Sequence, residues 1–196
     1  MTRPDIPREI LSERLVLRLY QPGDAAGMLE AIDESRAELG AWMEWTSSMR
    51  TLEDEERFIE RVATVEPGDT DVILGIFRRS DGRFLGGTGY HDIDWRVPKM
   101  STGYWLRTSE TGKGYARETV TALTRVGFGQ LGLRRLVITC AGTNDRSRRV
   151  AEACGYRFEG RLRNDDRLPD GSLRDTLFFS LIDTDETVRD LIGDPG

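Results

Sequence analysis

The sequence predicts an α/β chain of the α+β kind: a twisted, mixed and mostly antiparallel sheet with helices on both faces. Three observations point there. Strand-like runs at 71–79 and 83–93 flank Asp81-Gly82, a dipeptide that favours a tight hairpin. A strand-like run at 101–107 leads into Gly112-Lys113-Gly114 and then an amphipathic helix, which supplies a helical crossover near mid-chain. A second turn, Pro169-Asp170-Gly171, separates strand-like runs at 156–163 and 174–182. Hairpins at both ends and a crossover between them give the order β-α-α-β-β-β-α-β-α-β-β.

Each element has a local reason. In Arg14-Leu15-Val16-Leu17-Arg18-Leu19-Tyr20, the alternating Leu15, Leu17 and Leu19 share one face of a strand. Asp24 is placed to cap a helix carrying Met28, Leu29 and Ile32. Thr51 and Asp54 have capping-box spacing for a second helix, with Phe58, Ile59, Val62 and Val65 at helical intervals and Pro67-Gly68 as its stop. Along the strand ending near 93, alternation puts His91 and Ile93 on one face and Asp92 and Asp94 on the other. The helix after the glycines runs over 115–131, with Ala116, Val120, Leu123 and Leu131 on one stripe. A strand at 134–139 and a short helix at 145–154, closed by Gly155, complete the middle. Residues 10–185 contain no repeat or linker and read as one domain, with 1–9 and 186–196 as short tails.

Composition narrows the function. A chain of 196 residues, 38% hydrophobic and 32% charged, suits one globular domain. A net charge of −6 argues against a nucleic-acid-binding face. No apolar run approaches the roughly 18 residues of a membrane span, so no membrane partner is expected. Met1-Thr2-Arg3-Pro4-Asp5 lacks the apolar stretch of a signal peptide, so a cytoplasmic location is expected. Cys140 and Cys154 make neither a disulfide framework nor a metal-ligand pattern, and no metal is implied.

The glycine loop carries the chemistry. A helix that starts just after glycines offers unpaired backbone N–H groups and the positive end of its dipole, and glycine lets phosphate oxygens approach. A P-loop is a poor fit, because Arg107 stands where its first glycine belongs and Gly114 follows the lysine. A dinucleotide fingerprint fails at Arg117, which occupies its third glycine position. A glycine-rich turn with no ligand stays open on these residues alone.

Wider context resembles a known family. Tyr104-Trp105-Leu106-Arg107-Thr108-Ser109-Glu110-Thr111-Gly112-Lys113-Gly114-Tyr115-Ala116-Arg117-Glu118 resembles motif A of the Gcn5-related N-acetyltransferases (GNAT). The branch it is most similar to is the RimJ/RimL-like ribosomal-protein N-alpha-acetyltransferases. Asn144-Asp145-Arg146-Ser147-Arg148-Arg149-Val150 with Ala153-Cys154-Gly155-Tyr156 is similar to that branch's second signature. Ser12-Glu13-Arg14-Leu15 and Trp42-Met43-Glu44-Trp45 match its N-terminal pattern, so four ordered blocks span nearly the whole chain. One position departs: Thr111 stands where the superfamily has Gln or Arg, which leaves Lys113, Arg117 and the triplet Arg146, Arg148, Arg149 to supply charge to the phosphates.

The resemblance implies a GNAT fold and acetyl transfer from acetyl-CoA, a cosubstrate, directly to a primary amine on a small molecule or peptide. It implies that the strand of Leu106 parts from that of Ile138-Thr139-Cys140 to admit the pantetheine arm. Coenzyme binding then falls to Leu106, Thr108, Thr111, Gly112, Lys113, Gly114, Tyr115, Ala116, Arg117, Asn144 and Ser147. The Leu106 N–H would polarise the thioester carbonyl, and Ser147 would protonate the leaving thiolate. Asn144 suits equally a helix cap. His91 is the one histidine and is matched to neutral pH, while Asp92, Asp94 and Glu44 stay open as the base. Trp45 or Trp42, with Asp92, Asp94 and Tyr104, would face the acceptor. Dimers are frequent in the branch, and Leu177-Phe178-Phe179 suggests an exposed apolar face for a homodimer. Two other readings stay open: transfer of another acyl group such as succinyl, and a non-catalytic acyl-CoA sensor.

Overall fold

The computed structural model describes residues 4–63 and 71–193. Along the chain run β1 (Glu9–Leu11), β2 (Leu15–Arg18), α1 (Ala25–Gly40), α2 (Leu52–Ala63), β3 (Val72–Arg78), β4 (Phe84–Asp94) and β5 (Lys99–Leu106). After these come α3 (Tyr115–Gly129), β6 (Arg135–Ala141), α4 (Asp145–Ala153), β7 (Arg157–Arg167), β8 (Leu173–Ile182) and α5 (Glu186–Ile192). The strands form one sheet in the order β1-β2-β3-β4-β5-β6-β8-β7. Neighbours are antiparallel except β5 and β6, which run parallel because the α3 crossover joins them.

Strand alternation builds two apolar layers. Val72, Leu74 and Ile76 of β3 point into one, and Ile73 and Phe77 into the other. The first layer takes Val120, Leu123 and Val126 from α3 and Val188 from α5. The second takes Met28, Ala31 and Ile32 from α1 and Ile59 from α2, with Tyr20 and Phe84 between. Helices therefore cover both faces, as the sequence predicts.

Several local expectations are corrected. Asp24 precedes α1 without capping it; its carboxylate instead accepts from the Gln21 N–H at 2.7 Å and from both terminal nitrogens of Arg18. The Thr51–Asp54 box does form, with Asp54 N–H on Thr51 Oγ1 at 3.2 Å and Thr51 N–H on Asp54 Oδ2 at 2.9 Å. The helix stop at Pro67-Gly68, and Val65, lie outside the described residues. Segments read as tails take part in the fold. Ile6 is buried, β1 pairs with β2, and α5 buries Val188 while Ile192, one turn on, packs beside it. Leu177 and Phe179 are core residues of β8 and Phe178 is half-buried, so that run offers no exposed apolar face.

Candidate active site

At the end of β5 the chain makes a turn of 3-10 helix at Thr108–Glu110, then passes Gly112 and Gly114 at φ +74° and +84°. Gly114 is the N-cap of α3, and no side chain caps it, so the first-turn N–H groups remain available for an anion. The acidic residue in that turn, Glu118, is committed elsewhere. It accepts from Ser12 Oγ, Arg14 N and Arg14 Nε, each at 2.7 Å, while Arg14 Nη1 donates to the Lys113 carbonyl at 3.0 Å. The loop before β2 thus braces the glycine loop. Arg14 and Glu118 both lie in recognisable blocks, but a pairing across 104 residues leaves no local signal.

Lys113 has a partner that the sequence does not show. Its Nζ donates to Glu110 Oε2 at 2.9 Å, and Arg78 and Arg83 reach the other oxygen at 3.2 Å. Glu110 is buried, which pushes its carboxyl up, but Lys113 and Arg78 outweigh burial and hold it below the usual range. The lysine therefore helps to neutralise a buried carboxylate at the edge of the glycine loop.

Pairing between β5 and β6 covers Lys99, Met100 and Ser101 against Arg135, Leu136 and Val137, and stops there. Past it the strands run to Leu106 and Ala141 without pairing to each other, and a cavity of about 720 Å³ opens between them. Leu106, Thr108, Thr111, Gly112, Gly114, Tyr115, Ala116 and Arg117 line it from one side, and Asn144 and Ser147 from the other. Asn144 caps α4, with Oδ1 accepting from the Ser147 N–H at 3.1 Å, and the same residue lines the cavity. Arg146 and Arg149 line the cavity, whereas Arg148 donates to Asp145 at 2.8 Å. The Ser147 hydroxyl lies near the Tyr104 phenol and the Cys140 thiol. Burial pushes Tyr104 up to about 12 and raises Cys140, with Ser147 partly opposing both. Both groups therefore stay protonated near neutral pH.

A second cavity of about 720 Å³ lies on the α1–α2 side. It shares Met43, Gly103, Tyr104 and Trp105 with the first, so the two spaces meet across β5. Trp45 walls this second space with its ring 5.6 Å from Trp105, while Trp42 lines the first. Arg36 secures the Trp45 segment by donating to the carbonyls of Thr46 and Met49. Gly87 keeps the space open, because a Cβ there would lie 2.5 Å from Trp105 Nε1 and 3.0 Å from the Tyr20 hydroxyl. His91 lines the same cavity, with Nδ1 3.5 Å from a carboxylate oxygen of Asp71, a partner not foreseen from the sequence.

The carboxylates expected there are elsewhere. The β4–β5 register shifts between His91 and Asp94, and Asp92 takes φ +52°, so regular alternation fails at these residues. Asp92 is exposed, and Asp94 is held by the Arg96 guanidinium and N–H, which lower its carboxyl to about 2. Neither lines either cavity, and nor does Glu44.

Comparison with known proteins agrees with this geometry. The family model described as "Acetyltransferase (GNAT) domain" matches residues 14–157. The putative ribosomal N-acetyltransferase YdaF of Bacillus subtilis is 28% identical over 173 residues, covering 88% of this chain and 93% of its own. The ribosomal-protein-serine acetyltransferase of Escherichia coli is 25% identical over 175 residues, covering 89% and 96%. The solved structure of RimL, a ribosomal alpha-N-protein acetyltransferase in complex with coenzyme A, superposes with a TM-score of 0.82 at 22% identity, over 90% of this chain and 99% of that one. The fold is shared with it throughout.

Proposed function

The chain belongs to the acetyltransferase (GNAT) domain family, and from that premise we propose how its two cavities divide the transfer of an acetyl group from acetyl-CoA to a peptide α-amine. The enzyme is an acetyl-CoA-dependent N-acetyltransferase with RimJ/RimL-like relatives. The observation that carries the division is the meeting of the cavities at Gly103, Tyr104 and Trp105, on the strand that leads into the glycine loop.

In this reading the α3 N-terminus holds the pyrophosphate, and the pantetheine arm enters between β5 and β6. The Leu106 N–H polarises the thioester carbonyl; a donor of this kind is typically worth about 3 kcal/mol. The amine nitrogen attacks the carbonyl carbon, the C–S bond breaks, and the thiolate takes a proton from Ser147, whose hydroxyl regains one from solvent water, directly or relayed through Tyr104, which ends protonated. The proton lost by the amine passes to His91, backed by Asp71, or to water.

Proton arithmetic selects the acceptor. A peptide α-amine titrates near 7.7–8.0, so its neutral form costs about 1 to 1.4 kcal/mol at pH 7, whereas a lysine costs about 4.6. A site whose candidate base is one imidazole suits the first. Sequence similarity to ribosomal-protein acetyltransferases supports it as well.

The test uses peptides with free and blocked N-termini, each carrying one lysine, with acetyl-CoA and succinyl-CoA in parallel. Acetylation is expected on the free α-amine, with a rate that rises from pH 6 and flattens near pH 8. Modification of the lysine at a comparable rate would overturn the reading. A cytoplasmic location remains part of the proposal; among the described residues no helix is long and apolar enough to cross a membrane. So does a homodimer, now supported by the exposed Phe158, Leu162 and Leu173 on the β7–β8 hairpin, and light scattering that finds only a monomer would end it.

A further inference from the structure

We infer that the acceptor cavity selects an α-amine on a bulky apolar residue with an anionic group beside it, and rejects polycationic amines. This rests on the proposed transfer reaction and specifies its substrate.

The walls argue for bulk. Met28, Met49, Phe58, Ile73, Trp45 and Trp105 surround a space of about 720 Å³, far more than a serine or alanine side chain fills. A large apolar group would remove these walls from water, and a small polar one would leave them wet.

The charges argue for the neighbour. Arg57 and Arg61 of α2 line this cavity in a chain whose net charge is −6, so its rim departs from the rest of the molecule. Arg57 donates to Glu53 and Asp54 through its two terminal nitrogens. A guanidinium has five N–H donors, so others remain for a ligand's carboxylate. The Arg61 guanidinium lies over the Phe58 ring, 5.5 Å from its centroid, at the junction of apolar wall and charge.

The wall offers little to a cation. Asp54 is the one carboxylate among the described lining residues, and it is committed: Thr51 N and Oγ1 donate to it at 2.9 and 2.8 Å, Arg50 N at 3.1 Å, and Arg57 besides. Among the described lining residues, a second ammonium on the acceptor would meet the Arg57 and Arg61 guanidinium groups and a carboxylate whose oxygens already accept from four donors. Polyamines and aminoglycosides are therefore disfavoured by the same charges that favour an anion.

Calorimetry on the protein saturated with coenzyme A tests this without requiring turnover. The probes are the amidated peptides Phe-Glu-Glu-Ala, Phe-Gln-Gln-Ala, Phe-Lys-Lys-Ala and Ser-Glu-Glu-Ala, with free phenylalanine as a source of a single carboxylate. Phe-Glu-Glu-Ala is expected to bind about tenfold more tightly than its Gln counterpart and about 100-fold more tightly than its Lys counterpart. The Ser peptide is expected to be weaker than its Phe counterpart by about tenfold. Phenylalanine matching the acidic peptide would identify the α-carboxylate as the recognised anion and also support the inference. In the double variant Arg57→Gln, Arg61→Gln, the preference for Glu over Gln should vanish while the preference for Phe over Ser and the affinity for coenzyme A persist. Equal binding of the Glu and Lys peptides, preference for Ser, or no binding of any peptide would overturn it. Continued acetylation of other amines would then leave the transfer reading intact, whereas tight binding without acetylation would sink that reading and keep this one.

Discussion

The donor cavity and the acceptor cavity have the same volume, about 720 Å³, but are made of different materials. The donor end is chiefly backbone: two glycines at positive φ, an uncapped helix start and a gap between parallel strands. The acceptor end is chiefly side chains, gathered from Tyr20 beyond β2, α1, the Trp45 segment, α2, β3, β4 and β5. A backbone site tolerates little change at its glycines and much change around them. A side-chain site can be recut one residue at a time, so relatives that share the donor end can differ in what they acetylate.

The largest effect should separate chemistry from binding at the donor end. Ser147→Ala is expected to lower kcat by roughly 100-fold and leave acetyl-CoA affinity nearly unchanged. Stopped-flow turnover beside equilibrium binding measures both. A loss confined to affinity would make Ser147 part of the donor wall only.

A smaller effect tests the backbone half of the contrast. Gly114→Asp forces a side chain onto φ +84°, with its Cβ 3.3 Å from Arg14 Nη2, and puts negative charge at the helix start. Coenzyme A affinity should fall by at least about tenfold, or 1.4 kcal/mol, with the acceptor KM little changed. Unchanged affinity by calorimetry would remove the anion site from the donor cavity.

The smallest effect concerns α2, the helix that supplies Arg57 and Phe58 to the acceptor wall. Glu55 on that helix is buried with neither oxygen hydrogen-bonded; burial, then the neighbouring Asp54 charge, raise its carboxyl to about 7. An unfolded glutamate titrates near 4.3, so between that value and about 7 the folded state holds a proton that the unfolded state has lost. Stability therefore falls as pH rises through this window, and the penalty is complete above it. Glu55→Gln should raise Tm by about 3 °C at pH 8 and by little at pH 5, as scanning calorimetry would show. An equal shift at both pH values would mean that ionisation of Glu55 contributes nothing.

The same contrast explains what the sequence could tell. The donor loop was legible because left-handed backbone conformations nearly compel glycine, and because strand, glycines and helix lie in unbroken order. The acceptor wall was not, since Tyr20, Phe58 and Trp105 look like ordinary core aromatics until the fold brings them together. Alternation set Asp92 and Asp94 opposite His91, and neither lines the cavity that His91 lines; the bulge after His91, which puts Asp92 at φ +52°, left no signal in the sequence. The Lys113–Glu110 pair was not legible because Glu110 is buried by the tertiary fold and not by its neighbours in sequence. The α5 helix carries a faint signal, Val188 and Ile192 at a spacing of one turn, too short to stand out from a tail.

The three-residue contact between β5 and β6 makes the sheet two sheets sharing a short hem, β1 to β5 on one side and β6 to β8 on the other. The crossover helix, that hem and the apolar layer they share join the two. In the proposed reading a donor arm lying in the cleft would bridge both margins, so its binding energy would become cohesion between the halves, and the loaded enzyme should unfold more nearly as one cooperative body.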